Sequence, residues 1–153
     1  MEMVEAGMAD LGITSEDPAS MRAALALLGH SQVGPRGRRI AILGDMLELG
    51  PRGRDLHREL AEAVLANEVD LVFCCGPLMR GLWEALPSGR QGSYAEASTA
   101  LEPQVLAAIQ PGDAVMVKGS LGSRMAPIVK ALQTRYRRVA PATTRAPLST
   151  MNG

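Results

Sequence analysis

The stretch "RRIAILGDMLELG" (residues 38–50) decides the fold. An apolar run over 40–43 ends on Gly44. The acids Asp45 and Glu48 follow, and Gly50 closes the stretch. A short apolar run without alternation reads as a strand buried on both faces. It opens onto an acidic turn, not a glycine-rich phosphate cradle. A carboxylate at Asp45 repels phosphate and suits an ammonium group, a ribose hydroxyl, a magnesium ion or an arginine from another loop. It suits equally well the cap of a turn.

Working outward, two more apolar runs share this character, "LVFCC" (71–75) and "AVMV" (114–117), and "GSYAEA" (92–97) is a weaker strand. Helical patterns lie between them. "SEDPASMRAALALLGH" (15–30) has Ser15 or Asp17 to cap it, Pro18 for the first turn, and Met21, Ala24, Leu25 and Leu28 on one face. "GRDLHRELAEAVLANEVD" (53–70) places Leu56, Leu60, Ala63, Val64 and Ala66 or Asn67 near one stripe. "LMRGLWEAL" (78–86) is a short helix, and "ALEPQVLAAI" (100–109) is a helix with Pro103 near its start. A last helix begins near Met125, with Pro127 in its first turn. Strands that alternate with helices and are buried on both faces predict a doubly wound α/β domain. Its sheet is mostly parallel, with four to five strands and helices on both faces. Residues 1–16 form a poorly defined lead-in. Residues 137–153, rich in Pro, Thr and Ser, are predicted to be a disordered tail.

Composition excludes several function classes. The 16 basic and 16 acidic side chains balance, which argues against nucleic-acid binding. No apolar run approaches the ~20 residues that span a bilayer, and the acidic N-terminus is no signal peptide, so a cytoplasmic location is expected. The cysteines, Cys74 and Cys75, are neighbours in a strand and point to opposite faces, so they predict neither a disulfide nor a zinc site. No Walker A or dinucleotide-binding glycine pattern occurs.

Ligands of such sheets sit at the carboxyl ends of the strands. That rule selects "LGDMLELG" (43–50), "CCGPLMRG" (74–81) and "VKGSLGSR" (117–124). Lys118, one of two lysines in the chain, stands at a strand end beside Gly119 and Ser120 and could hold a carboxylate. Arg80 could do the same, or be an exposed surface arginine. His57, on the helix after the acidic loop, reads first as structural or solvated, and His30 as a helix-end residue.

Together, "DPASMRAALALL", "GRRIAILGDMLELG", "LHRELAE" and "GDAVMVKGSLGSRM" resemble the C-terminal domain of the Mur ligase family, above all its F-type branch. The resemblance runs over about 17–136. It implies a Rossmann-like lid domain from an enzyme that joins D-alanyl-D-alanine to UDP-N-acetylmuramoyl-tripeptide in peptidoglycan synthesis. Such an enzyme uses ATP and magnesium through an acyl-phosphate. The N-terminal and central domains hold the UDP-sugar, the P-loop and the metals. The resemblance places Lys118, Gly119 and Ser120 near the acceptor dipeptide, with Asp45 beside them and His57 on the following helix. It assigns this chain no catalytic or metal residue. Alone, the chain is expected to be inactive, to bind neither ATP nor magnesium tightly, and to bind D-alanyl-D-alanine weakly; a homodimer could form through an open sheet edge. The sequence departs from the family in two places. "GITSED" (12–17) stands where the family has a tyrosine- and asparagine-containing nucleotide motif, with Asp17 at an asparagine position. Leu121 stands where many relatives carry arginine. The alternative is a drifted stand-alone binding or regulatory domain of the same fold.

Overall fold

The structure, a computed structural model, describes residues 17–136. The expected lead-in over 1–16 and tail over 137–153 lie outside the described residues. Helix α1 (Pro18–Gly29) opens the described chain. Asp17 is extended and its Oδ1 accepts the Ser20 amide at 2.7 Å, while Pro18 fills the first helical position, where a missing N–H costs nothing. That amide, aided by the Lys118 ammonium, holds the Asp17 carboxyl below its ordinary range.

Four strands follow: β1 (Arg39–Gly44), β2 (Leu71–Cys75), β3 (Gln91–Ala95) and β4 (Ala114–Lys118). They form one parallel sheet in the order β3-β2-β1-β4. Between and after them run α2 (Gly53–Ala66), α3 (Met79–Ala85), α4 (Ser98–Ala108) and α5 (Ala126–Tyr136).

The apolar runs are buried on both faces because alternate residues enter two cores. Ala41, Leu43, Val72, Cys74 and Met116 pack with Met21 and Leu25 of α1, Leu60 and Val64 of α2, and Met79 and Leu82 of α3. Ile40, Ile42, Phe73, Cys75, Val115 and Val117 pack with Leu101 and Val105 of α4 and Ile128, Val129 and Leu132 of α5. The doubly wound α/β expectation holds, with three helices on one face and two on the other. Cys74 and Cys75 are free thiols that belong to opposite cores.

Two details of the helices differ from the sequence reading. Helix α4 begins at Ser98, so Pro103 sits inside it, not near its start. Pro103 offers no N–H to the Thr99 carbonyl, a gap one turn into the helix that the packing of Leu101 and Val105 outweighs. On α2 the buried stripe is Gly53, His57, Leu60, Ala63 and Val64, whereas Leu56 is half-buried and Ala66 is exposed. A histidine has replaced the expected leucine at the core face because the loop above supplies it with polar partners.

The amino ends of β1 and β4 are locked by a buried acid in the "PGD" turn. Asp113 is 3% exposed. It accepts the Arg38 amide (2.9 Å), the Arg38 guanidinium (3.0 Å) and the Gln110 amide (2.9 Å). Removing this carboxylate leaves three donors without it. Asp113→Ala is therefore expected to lower unfolding free energy by about 3 kcal/mol in urea titrations; a loss under about 1 kcal/mol would contradict the lock.

Candidate functional site

The chain runs outward from β1 to β2 to β3, then returns to the other side of β1 for β4. Loops that follow β1 and β4 therefore part at their carboxyl ends, the switch point where such sheets bind ligands. Gly44 and Gly119 end these strands in close approach. A Cβ on Gly119 would stand 3.0 Å from the Gly44 Cα, and one on Gly44 would stand 2.5 Å from the Ser123 Oγ. Only glycine lets the two loops begin this close together.

The loop after β1 is then fastened at three points. The Ser120 amide donates to the Asp45 carbonyl at 3.3 Å. The Asp45 carboxylate accepts the Leu78 amide at 3.2 Å and the Met79 amide at 2.8 Å, which caps the start of α3. The Met46 amide donates to His57 Nε2 at 2.9 Å, and His57 Nδ1–H donates to the Gly53 carbonyl at 2.6 Å. Those two partners require the neutral ring with its proton on Nδ1. Gly76, at φ +109°, passes over the Asp45 carboxylate where a side chain would collide with it.

A groove of about 430 Å³ opens above these loops, and all four strand ends contribute to it. Asp45 and Leu47 come from the first loop, Cys75, Gly76 and Pro77 from the second, Glu96, Ala97, Ser98 and Thr99 from the third, and Gly122, Ser123 and Arg124 from the fourth. The Cys75 thiol is pushed up to about 11 by burial and by the Asp45 charge, so it stays protonated at neutral pH and is no nucleophile.

The structure brings some of the sequence candidates together and buries others. Asp45 lines the groove, but both carboxylate oxygens already accept amides. Lys118 and Ser120 are 5% and 6% exposed, and neither they nor Gly119 are among the residues that line the groove. The Ser120 hydroxyl is buried without a hydrogen-bond partner. His57 is fully buried and meets the groove only through the loop it holds. Arg80 pairs with Glu84 at 2.9 Å and lies 5.9 Å from the Tyr94 ring centre. His30 Nδ1–H donates to the Ala26 carbonyl at 2.8 Å, at the end of α1. Among the described residues, no group of three or more His, Cys, Asp or Glu could hold a metal ion. The loop after β3 was missed from sequence. Its strand is half-buried and weak, yet the strand-end rule applies to it as to the other three.

With this geometry in hand, comparison with known proteins is specific. The family described as "Mur ligase, glutamate ligase domain" matches residues 15–121, which include the loops after β1, β2 and β3 and the first residues of the loop after β4. The UDP-N-acetylmuramoyl-tripeptide–D-alanyl-D-alanine ligase of Bacillus subtilis is 31% identical over 119 residues, 75% of this chain and 25% of that protein. The ligase of the same name from Escherichia coli is 31% identical over 115 residues, 74% of this chain and 24% of that protein. A crystal structure of MurF from Acinetobacter baumannii superposes with a TM-score of 0.67 at 22% identity, over 78% of this chain and 26% of that one. MurF from Thermotoga maritima, solved in complex with ADP, gives 0.62 at 21% identity, over 82% and 28%. The chain thus spans about a quarter of the length of these relatives.

The three fastenings make a direct prediction. His57→Ala leaves the Met46 amide and the Gly53 carbonyl without their partner and opens a hole beside Leu60. It is expected to cost about 2–4 kcal/mol in urea unfolding. A variant as stable as the parent would show that the ring does not hold the loop.

Proposed function

The chain belongs to the Mur ligase family, and on that premise we propose that it is the C-terminal domain of a ligase that adds D-alanyl-D-alanine to UDP-N-acetylmuramoyl-tripeptide. The observation that carries the reading is the coincidence of the family match with the switch-point loops. The matched segment contains the acidic loop after β1 and the Lys118–Gly119–Ser120 turn, and the Ser120 amide joins the two at the Asp45 carbonyl. The relatives' remaining three-quarters, on this reading, are the N-terminal and central domains.

In such a ligase ATP and magnesium would activate the tripeptide carboxyl as an acyl-phosphate. The described residues do not fit that task, having no metal-holding cluster, and the sequence has no Walker A pattern. The chain's part is to bring an amine acceptor to a carboxyl activated elsewhere. On this reading Lys118, Gly119 and Ser120 are the turn beside which the dipeptide settles, and Asp45 and His57 hold the neighbouring loop in shape. An open groove covers one side of a ligand, so the chain alone binds the dipeptide weakly. It acts as a lid whose facing wall is another domain. The reading places the protein in the cytoplasm, and no helix among the described residues is long and apolar enough to cross a membrane. Among those residues β4 has a strand neighbour on one side only, the edge a homodimer would use.

One observation favours the second reading, a drifted binding or regulatory domain. Asp17 stands at an asparagine position of the resemblance and spends its carboxylate on capping α1. A chimera separates the two. The 153-residue chain is joined to the first two domains of the Bacillus subtilis ligase in place of that enzyme's own last quarter. ADP release that depends on D-alanyl-D-alanine is expected, with Lys118→Ala lowering kcat/KM about tenfold or more. A folded chimera indifferent to the dipeptide would favour the drifted domain, and turnover by the chain alone would refute the lid reading.

A further inference from the structure

Helix α4 opens onto the groove without a cap. Ala97 stands at the cap position and makes no side-chain hydrogen bond there. The Ala100 and Leu101 amides both turn to the Ala97 carbonyl, at 3.2 Å. That leaves the Ser98 and Thr99 amides ahead of the first intrahelical donor, at the positive end of an 11-residue helix, and both residues line the groove.

Ser98 adds an independent observation. It is 5% exposed, and among the described residues its hydroxyl has no hydrogen-bond partner. Ser98 lines the groove, and what remains accessible of it opens there. Buried hydroxyls are normally paired, and this one has its open side toward the ligand space. From the loop after β4, exposed Arg124 lines the same groove and joins none of the ion pairs among the described residues. Two amides, a hydroxyl and a guanidinium thus bound one space. All are donors, and donors of this kind select an oxyanion.

The acids decide which oxyanion. Asp45 is already answered by two amides. Glu96 is exposed and lines the groove two residues before Ser98. A phosphate dianion would meet Glu96 as a like charge. A monoanionic carboxylate on a molecule that also carries an ammonium would find a partner for each end. We infer that Ser98, the Thr99 amide and Arg124 form a carboxylate subsite for a small zwitterionic amino acid or dipeptide, with Glu96 facing the ammonium. The subsite stands on this geometry alone; naming its ligand as the acceptor dipeptide rests on the proposed function.

Amide chemical shifts of the 153-residue chain test it, in titrations with D-alanyl-D-alanine, its C-terminal amide and inorganic phosphate. Ser98→Pro removes both Ser98 donors yet suits the first helical position, because Ala97 before it is extended at φ −133°, ψ 151°. Ser98→Ala, which removes the hydroxyl alone, serves if the proline variant fails to fold. Saturable shifts at Thr99 are expected with the dipeptide. Its affinity should fall about tenfold in Ser98→Pro and in Arg124→Gln, and about tenfold when the carboxylate is amidated. Phosphate that shifts Thr99 at lower concentration than the dipeptide would overturn the carboxylate assignment. Dipeptide shifts confined to residues 45–50 and 118–120 would overturn the subsite while leaving the lid reading intact. No shift anywhere would overturn both.

Discussion

The main chain at Asp45 and Met46 is tied to three other elements at once, and the order of the site follows from those ties. The Asp45 carbonyl receives the Ser120 amide, its carboxylate receives the first amides of α3, and the Met46 amide is received by His57 on α2. A loop at the end of a parallel strand has lost its ladder partners, and its polar groups must be answered some other way. Here the answers come from the loop after β4, the start of α3 and the buried face of α2. The acid that reads from sequence equally as a ligand or a cap is the fastener between the strand ends.

This arrangement depends on the two-sided burial below it. Alternate residues of β1, β2 and β4 enter opposite cores, so the strand ends are held from both faces. Gly44 and Gly119 then bring the loops close enough for the Ser120 amide to reach Asp45. At the far end, Asp113 and Arg38 hold the same pair of strands in register. Strands β1 and β4 are thus pinned at both ends, and the loops vary only above a fixed frame. On the proposed reading, a lid that brings an acceptor amine within bonding distance of a reactive carboxyl would use such a frame.

Much of the fold was legible in the sequence. Unbroken apolar runs such as residues 40–43 mark strands covered on both sides, and the cap at Asp17 and the proline at 18 mark a helix start. What was not legible concerns partners brought together by the fold. The His57 ring sits where the periodicity of α2 calls for an apolar residue, and only the Met46 amide above it explains why. Asp45 was an even choice between ligand and cap because its cap partners are 33 and 34 residues away. The loop after β3 was overlooked because its strand, paired on one side and half-buried, carries little hydrophobic signal. Lys118, Gly119 and Ser120 were selected by strand-end position, yet their burial could not be read from that position.

The chain belongs to the Mur ligase family and spans about a quarter of the length of its relatives, and on the proposed reading its loops form one wall of an acceptor site. Central to that reading, the Asp45 carboxylate fastens the loops around that wall. Hydrogen exchange at the Leu78 and Met79 amides in Asp45→Ala tests this most directly, with the α5 amides as the reference for global opening. The account predicts that these two amides exchange at least about tenfold faster relative to α5 than in the parent chain. An unchanged ratio would contradict it and return Asp45 to the role of a ligand.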